Sequence, residues 1–180
     1  MPTRDSDDAR PTTRLTPHRT LFDWVVVAIA TGLFVGTIPP RTATVAALWG
    51  IPLTWTLHQF VGWGWSAPVL LALWLLGIPI CGRAMQLLGR PDPREVTYDE
   101  FSTLPLVYLG CDRLTWPILV VGFVLHRFFD IVKPLGIRRV EKLGGGLGIM
   151  ADDVLAAVVS LALMRLFDLA HWFPFVAATR

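Results

Sequence analysis

Nine charged residues crowd into the 28 positions His126–Asp153 of a chain that is otherwise largely apolar. Arg127, Asp130 and Lys133 come first, then Arg138, Arg139, Glu141 and Lys142, then Gly144–Gly146 and Gly148, and last the pair Asp152-Asp153. Charges left singly in apolar surroundings are costly, so a chain of this kind has to fold in a way that gathers them at one place. Arg127, Asp130 and Lys133 recur at i, i+3 and i+6, which spreads them over about 120° of one side of a helix. The spacing predicts a helix over Phe128–Val132 that ends near Lys133, because Pro134 biases the preceding residue away from helical backbone.

The rest of the chain points to a membrane. Of its 180 residues 53% are hydrophobic without counting glycine, eight are tryptophan, and mean hydropathy is +0.54. Soluble domains reach about 45–50% with glycine included. A formal charge of +2 and basic residues dispersed among loops argue against nucleic acid as a partner. Cys81 and Cys111 lack the spacing of a zinc site or of a disulfide framework and read as buried apolar residues. There is no G-x-S-x-G for serine hydrolase chemistry, and the glycine cluster lacks the GK[ST] ending of a P-loop.

Residues 1–20 are rich in Pro, Thr and Arg, carry no signal-peptide pattern, and read as a disordered tail. Residues 21–180 read as one all-α domain, a membrane-associated bundle of short hydrophobic helices with polar loops at its active site. Three apolar segments, Leu21–Ile38, Ala43–Leu57 and Ala67–Ile80, run to about 14–18 residues, at or below the roughly 20 that cross a bilayer. If the turn at Arg41-Thr42 belongs to the site, the first segment must re-enter or lie at the interface. Arg83–Tyr98 reads as a polar loop, Asp99-Glu100 open a helix, Asp112-Arg113 interrupt the apolar stretch after it, and Asp152-Asp153 begin the last helix. The Lys and Arg clusters should share the cytoplasmic face.

Two or three convergent carboxylates suit a hard cation such as Mg²⁺. Lysine and arginine beside them suit the oxygens of a phosphate monoester. Each residue also has an ordinary explanation: acids at helix starts act as caps, cations anchor an interface, and GGG makes a flexible loop. Backbone amides of Gly145 and Gly146 ahead of a helix are the functional alternative. His126 reads as a core or interface histidine.

The segments GFVLHRFFDIVKPLGI and GGLGIMADDVLAA, spanning Gly122 to about Val158, resemble motifs of the bacterial phosphatidylglycerophosphatase A family. VTYDEF at Val96–Phe101 and PPRTATVAAL at Pro39–Leu48 match two further motifs in the family's order. The resemblance implies a helical membrane enzyme of the bacterial cytoplasmic (inner) membrane. Its substrate is a membrane phospholipid: it removes the terminal phosphate of phosphatidylglycerophosphate with Mg²⁺, at a site facing the cytoplasm. Carried over by position, Asp99, Glu100, Asp152 and Asp153 bind or support the metal. Arg127 and Lys133 clamp the phosphate, with Gly145 and Gly146 behind them; Asp130 orients a cation or water, and Thr42 is the eighth working residue. Arg41, Thr44, Val45, Thr103 and Ala157 stand where the family has other, smaller residues. These departures keep open a different lipid phosphate as substrate, or a non-catalytic scaffold. Oligomeric state is open.

Overall fold

The computed structural model describes residues 19–38, 43–91, 93–133 and 143–170. The tail expected at 1–20 lies almost wholly outside them, as does Thr42. Helices account for most of the described residues, and no strand occurs among them.

The first apolar segment divides. Helix α1 (Leu21–Ala30) starts in a reciprocal cap in which Thr20 Oγ1 accepts from Asp23 N–H and Asp23 Oδ2 accepts from Thr20 N–H. It stops after ten residues because the chain turns through Thr31, whose hydroxyl donates to Val27 O and accepts from Phe34 N–H. Leu33 and Phe34 sit at positive φ in this turn, ahead of a short 3₁₀ turn, Val35–Thr37. At 1.5 Å per residue α1 is about 15 Å long, half a hydrocarbon layer.

Helices α2 (Ala43–Ala47) and α3 (Gly50–Thr56) follow, and a π turn at Leu57–Val61 leads into α4 (Gly62–Leu88). Helix α4 runs past the expected end of its apolar segment at Ile80 and closes on Gly89 in the left-handed conformation. Arg83 is therefore helical rather than part of a loop. The polar side chains at its end have partners that a loop would not supply: Arg83 pairs with the distant Asp23 at 2.7 Å and bonds Gln86 at 3.2 Å.

Helix α5 (Tyr98–Val107) is short and almost entirely buried, packed by α3, α4 and the last helix. The chain breaks at Asp112-Arg113, as expected, and resumes as α6 (Trp116–Val132). Helix α7 (Gly145–Leu169) begins seven residues before Asp152, so the glycines form its first turn and the acidic pair lies two turns in. The expectation of a glycine loop with capping aspartates is thereby corrected. The cause is tertiary: a Cβ on Gly146 would lie 1.9 Å from the carbonyl oxygen of Ile78, so α4 and α7 touch backbone to backbone there.

Leu104, Val107, Tyr108, Ile118, Leu119 and Met164 form the main core around α5. A second cluster, including Val26, Ala30, Cys81, Tyr98 and Met150, joins α1, α4 and α7. Both cysteines are buried and free. Helices α4 and α7 are long and apolar enough to cross a membrane, and only 22% of the apolar window of α4 is buried inside the protein, against 50% for α7. A core helix of a soluble protein would show the opposite of α4.

Candidate active site

Three helices supply the polar side chains of the site. The first turn of α5 brings Asp99 and Glu100, the last turn of α6 brings Asp130, the cap of α6 brings Lys133, and α7 brings Asp152 and Asp153. They meet in a cavity of about 460 Å³, closed on one side by Met85 of α4 and Ile149 of α7. Gly144 and Gly145 line it where α7 starts without a side-chain cap, which leaves amide N–H groups of its first turn at the cavity wall.

One carboxylate oxygen from each of Asp130, Asp152 and Asp153 lies within 4.8 Å of the others. Asp153 Oδ2 and Asp99 Oδ1 are buried and make no hydrogen bond among the described residues. Buried carboxylate oxygens left this way are expensive unless a proton or a cation joins them. Burial, and then the charges of Glu100 and Asp152, hold the Asp99 carboxyl well above its usual range. All the donors are hard oxygens, so the set fits Mg²⁺ or a similar cation.

Two cations serve the carboxylates in different ways. Lys133 Nζ lies 2.5 Å from Asp152 Oδ2, and Lys133 lines the cavity. Arg127 stands behind the cavity, buried, with Nη1 2.8 Å from Asp130 and 3.2 Å from Glu100. Arg127, Asp130 and Lys133 thus do converge, but Arg127 faces the acids rather than the open space.

Of the glycines, Gly145 lines the cavity, whereas Gly146 is packed against α4. Arg94, exposed at the cavity mouth, is a site residue that sequence reasoning passed over. The signal available was a cation in the polar loop immediately before the Asp99-Glu100 pair. His126 is fully buried, and burial lowers its pKa to about 4, so it is neutral at pH 7. Its Nε2 lies 3.2 Å from the hydroxyl of Thr103, which also donates to Asp99 O.

Helices of membrane length and a carboxylate cavity faced by half-buried Lys133 and exposed Arg94 define a class: phosphate-handling enzymes that work at a lipid surface. The chain belongs to the phosphatidylglycerophosphatase A family, a family of phosphatases, whose profile matches residues 28–168. It is 34% identical to phosphatidylglycerophosphatase A of Haemophilus influenzae over 145 residues, covering 80% of this chain and 88% of that protein. It is 29% identical to phosphatidylglycerophosphatase A of Escherichia coli over 152 residues, covering 84% and 86%. A Bacteroides thetaiotaomicron protein, provisionally named a phosphatidylinositol-3-phosphatase, is 33% identical over 152 residues, covering 81% and 93%. No solved structure gives a significant match.

Proposed function

We propose that the protein hydrolyses the terminal phosphate of phosphatidylglycerophosphate, releasing inorganic phosphate and leaving phosphatidylglycerol, with Mg²⁺ as cofactor. The observation that carries this reading is the convergence of Asp130, Asp152 and Asp153 within 4.8 Å, beside Lys133, in a chain of this family.

Asp152 and Asp153, joined from α6 by Asp130, would hold Mg²⁺, with Asp99 and Glu100 supporting them from α5. When bound, the ion supplies positive charge to the phosphate oxygens and lowers the pKa of a coordinated water. Lys133 and Arg94 offer further charge to the phosphate, and the amide at Gly145 offers a donor at a helix N-terminus. Arg127 is a positioning residue that keeps Glu100 and Asp130 in place. In the hydrolysis a water oxygen forms a bond to phosphorus, the phosphorus–oxygen bond to glycerol breaks, and the glycerol oxygen takes up a proton. The clusters of Lys and Arg support a site at the cytoplasmic face of a bacterial inner membrane.

The test is phosphate release from phosphatidylglycerophosphate in detergent, with Mg²⁺ or EDTA, for wild type and Asp153→Asn. Metal-dependent release that the variant lacks is the expected result. Release that is insensitive to both EDTA and the substitution would remove the metal role. The Bacteroides relative favours one comparison, phosphatidylinositol 3-phosphate, and faster release from that lipid would replace the substrate named above.

A further inference from the structure

On the far side of the first turn of α5 lies a second hollow, of about 360 Å³, with walls from α1, α3 and α5. Ile29 and Leu33 form one wall, Trp49, Pro52 and Leu53 another, and Phe101 the floor. The polar side chains at it are Thr56 and Tyr98, and the Tyr98 hydroxyl donates to Leu73 O at 3.0 Å. An occupant therefore meets hydrocarbon on nearly every side.

Its position relative to the carboxylate cavity identifies that occupant. The cavity meets α4 at Met85, whereas Tyr98 at the hollow meets α4 at Leu73 and Gly77. Twelve residues of helix separate Met85 from Leu73, about 18 Å along the axis. Helix α1 gives an offset in the same direction, about 10 Å over the seven residues from Asp23 to Ala30. Its first turn is tied to the charged end of α4 by Asp23–Arg83 and by Arg19 donating to Leu87 O, and its last residue accepts from Thr97 N–H beside the hollow. The polar cavity thus lies at the charged end of the bundle and the apolar hollow about 10–18 Å further along it, the arrangement of headgroup and tail in a phospholipid.

We infer that the hollow between α1, α3 and α5 seats an acyl chain of the lipid whose phosphate occupies the carboxylate cavity. This rests on the phosphatase reading above. Chain binding here fixes the lipid along the bundle axis, so that tail burial contributes to placing the phosphate against Asp152 and Asp153.

Two variants fill the hollow from different walls, Ile29→Trp and Leu53→Trp, each checked for an unchanged melting temperature. Phosphate release is measured from phosphatidylglycerophosphate with oleoyl chains and with butyryl chains. Both variants should raise KM for the oleoyl substrate about tenfold, a difference of about 1.4 kcal/mol, and leave kcat/KM for the butyryl substrate unchanged. Equal effects on both substrates, or none on either, would overturn the inference. A second arm needs no turnover: phosphatidylglycerol with a diazirine at mid-chain is photolysed with the wild-type protein and the adduct mapped. Adducts on α1, α3 or Phe101 that either variant suppresses are expected; adducts spread over the exposed faces and unaffected by the variants would overturn it. Wild type that releases no phosphate yet gives the mapped adduct would remove the phosphatase reading alone.

Discussion

Lys133 Nζ and Asp152 Oδ2 lie 2.5 Å apart and join the end of α6 to α7 across the floor of the cavity. Lys133 makes this contact from a left-handed backbone, φ 47° and ψ 54°, a region that costs a residue with a Cβ roughly 1 kcal/mol or more. A strained residue at the point where charge is needed is a functional sign, because the surrounding structure has to hold it there. Lys133→Met should lower kcat roughly a hundredfold. Lys133→Gly should lose the same activity yet melt at a higher temperature than Lys133→Met, since glycine relieves the backbone. Comparable melting of the two would show that the strain is not borne at this residue.

Asp153 brings a different balance. Without a cation, its carboxylate crowds against Asp130 and Asp152, and removing like charge relieves repulsion. Asp153→Asn should therefore be at least as stable as wild type in EDTA. With Mg²⁺ at about 100 times its Kd the wild type should gain about 2.7 kcal/mol and overtake the variant. Thermal unfolding in detergent across a Mg²⁺ titration reads this crossing, and parallel curves for the two proteins would contradict it.

How far the fold was legible varies with how local its causes are. The break at Asp112-Arg113, the start of α5 at Asp99-Glu100 and the end of α6 at Lys133 each follow from residues within a turn of the boundary. The start of α7 does not. Glycine costs about 1 kcal/mol in a helix relative to alanine, so Gly144–Gly146 read as loop; the approach of Ile78 from α4, distant in sequence, brings Gly145 and Gly146 into the helix. The end of α4 was hidden in the same way, because Arg83 finds Asp23 sixty residues earlier. At the site, the acids and cations were identifiable by type, but their division of labour was not. Only the fold turns Arg127 toward Glu100 and leaves Lys133 and Arg94 at the cavity.

Two adjacent glycines that were assigned one role should separate under mutation. A methyl group on Gly146 meets Ile78 O at 1.9 Å and Gly82 N at 2.7 Å, all of it backbone that cannot step aside. Gly146→Ala should destabilise by about 1–3 kcal/mol or more through overpacking. Gly145 has open space around its Cβ position but φ +61°, so Gly145→Ala should cost only about 1 kcal/mol. Melting temperatures of the two variants decide between packing and backbone conformation; equal losses would mean that the contact with α4 is not what fixes Gly146.

The pair Asp23–Arg83 sets an acid limit on the attachment of α1. Arg83 donates to Asp23 Oδ1 from Nη2 at 2.7 Å and from Nε at 3.1 Å, and with the N–H and hydroxyl of Thr20 it holds the Asp23 carboxyl below its usual value of 3.8. A carboxyl more acidic in the folded chain than in the unfolded one stabilises the fold above its unfolded pKa, and that contribution fades as pH falls through the folded value. At pH 7 Asp23→Asn should melt below wild type, and the gap should close as the pH is taken below 3.8. Arg83→Met should behave in the same way, and the double variant should be no worse than the worse single one, since both remove one interaction. A gap between wild type and Asp23→Asn that is the same at pH 7 and at pH 3 would assign the loss to the Thr20 cap rather than to the charge of Asp23.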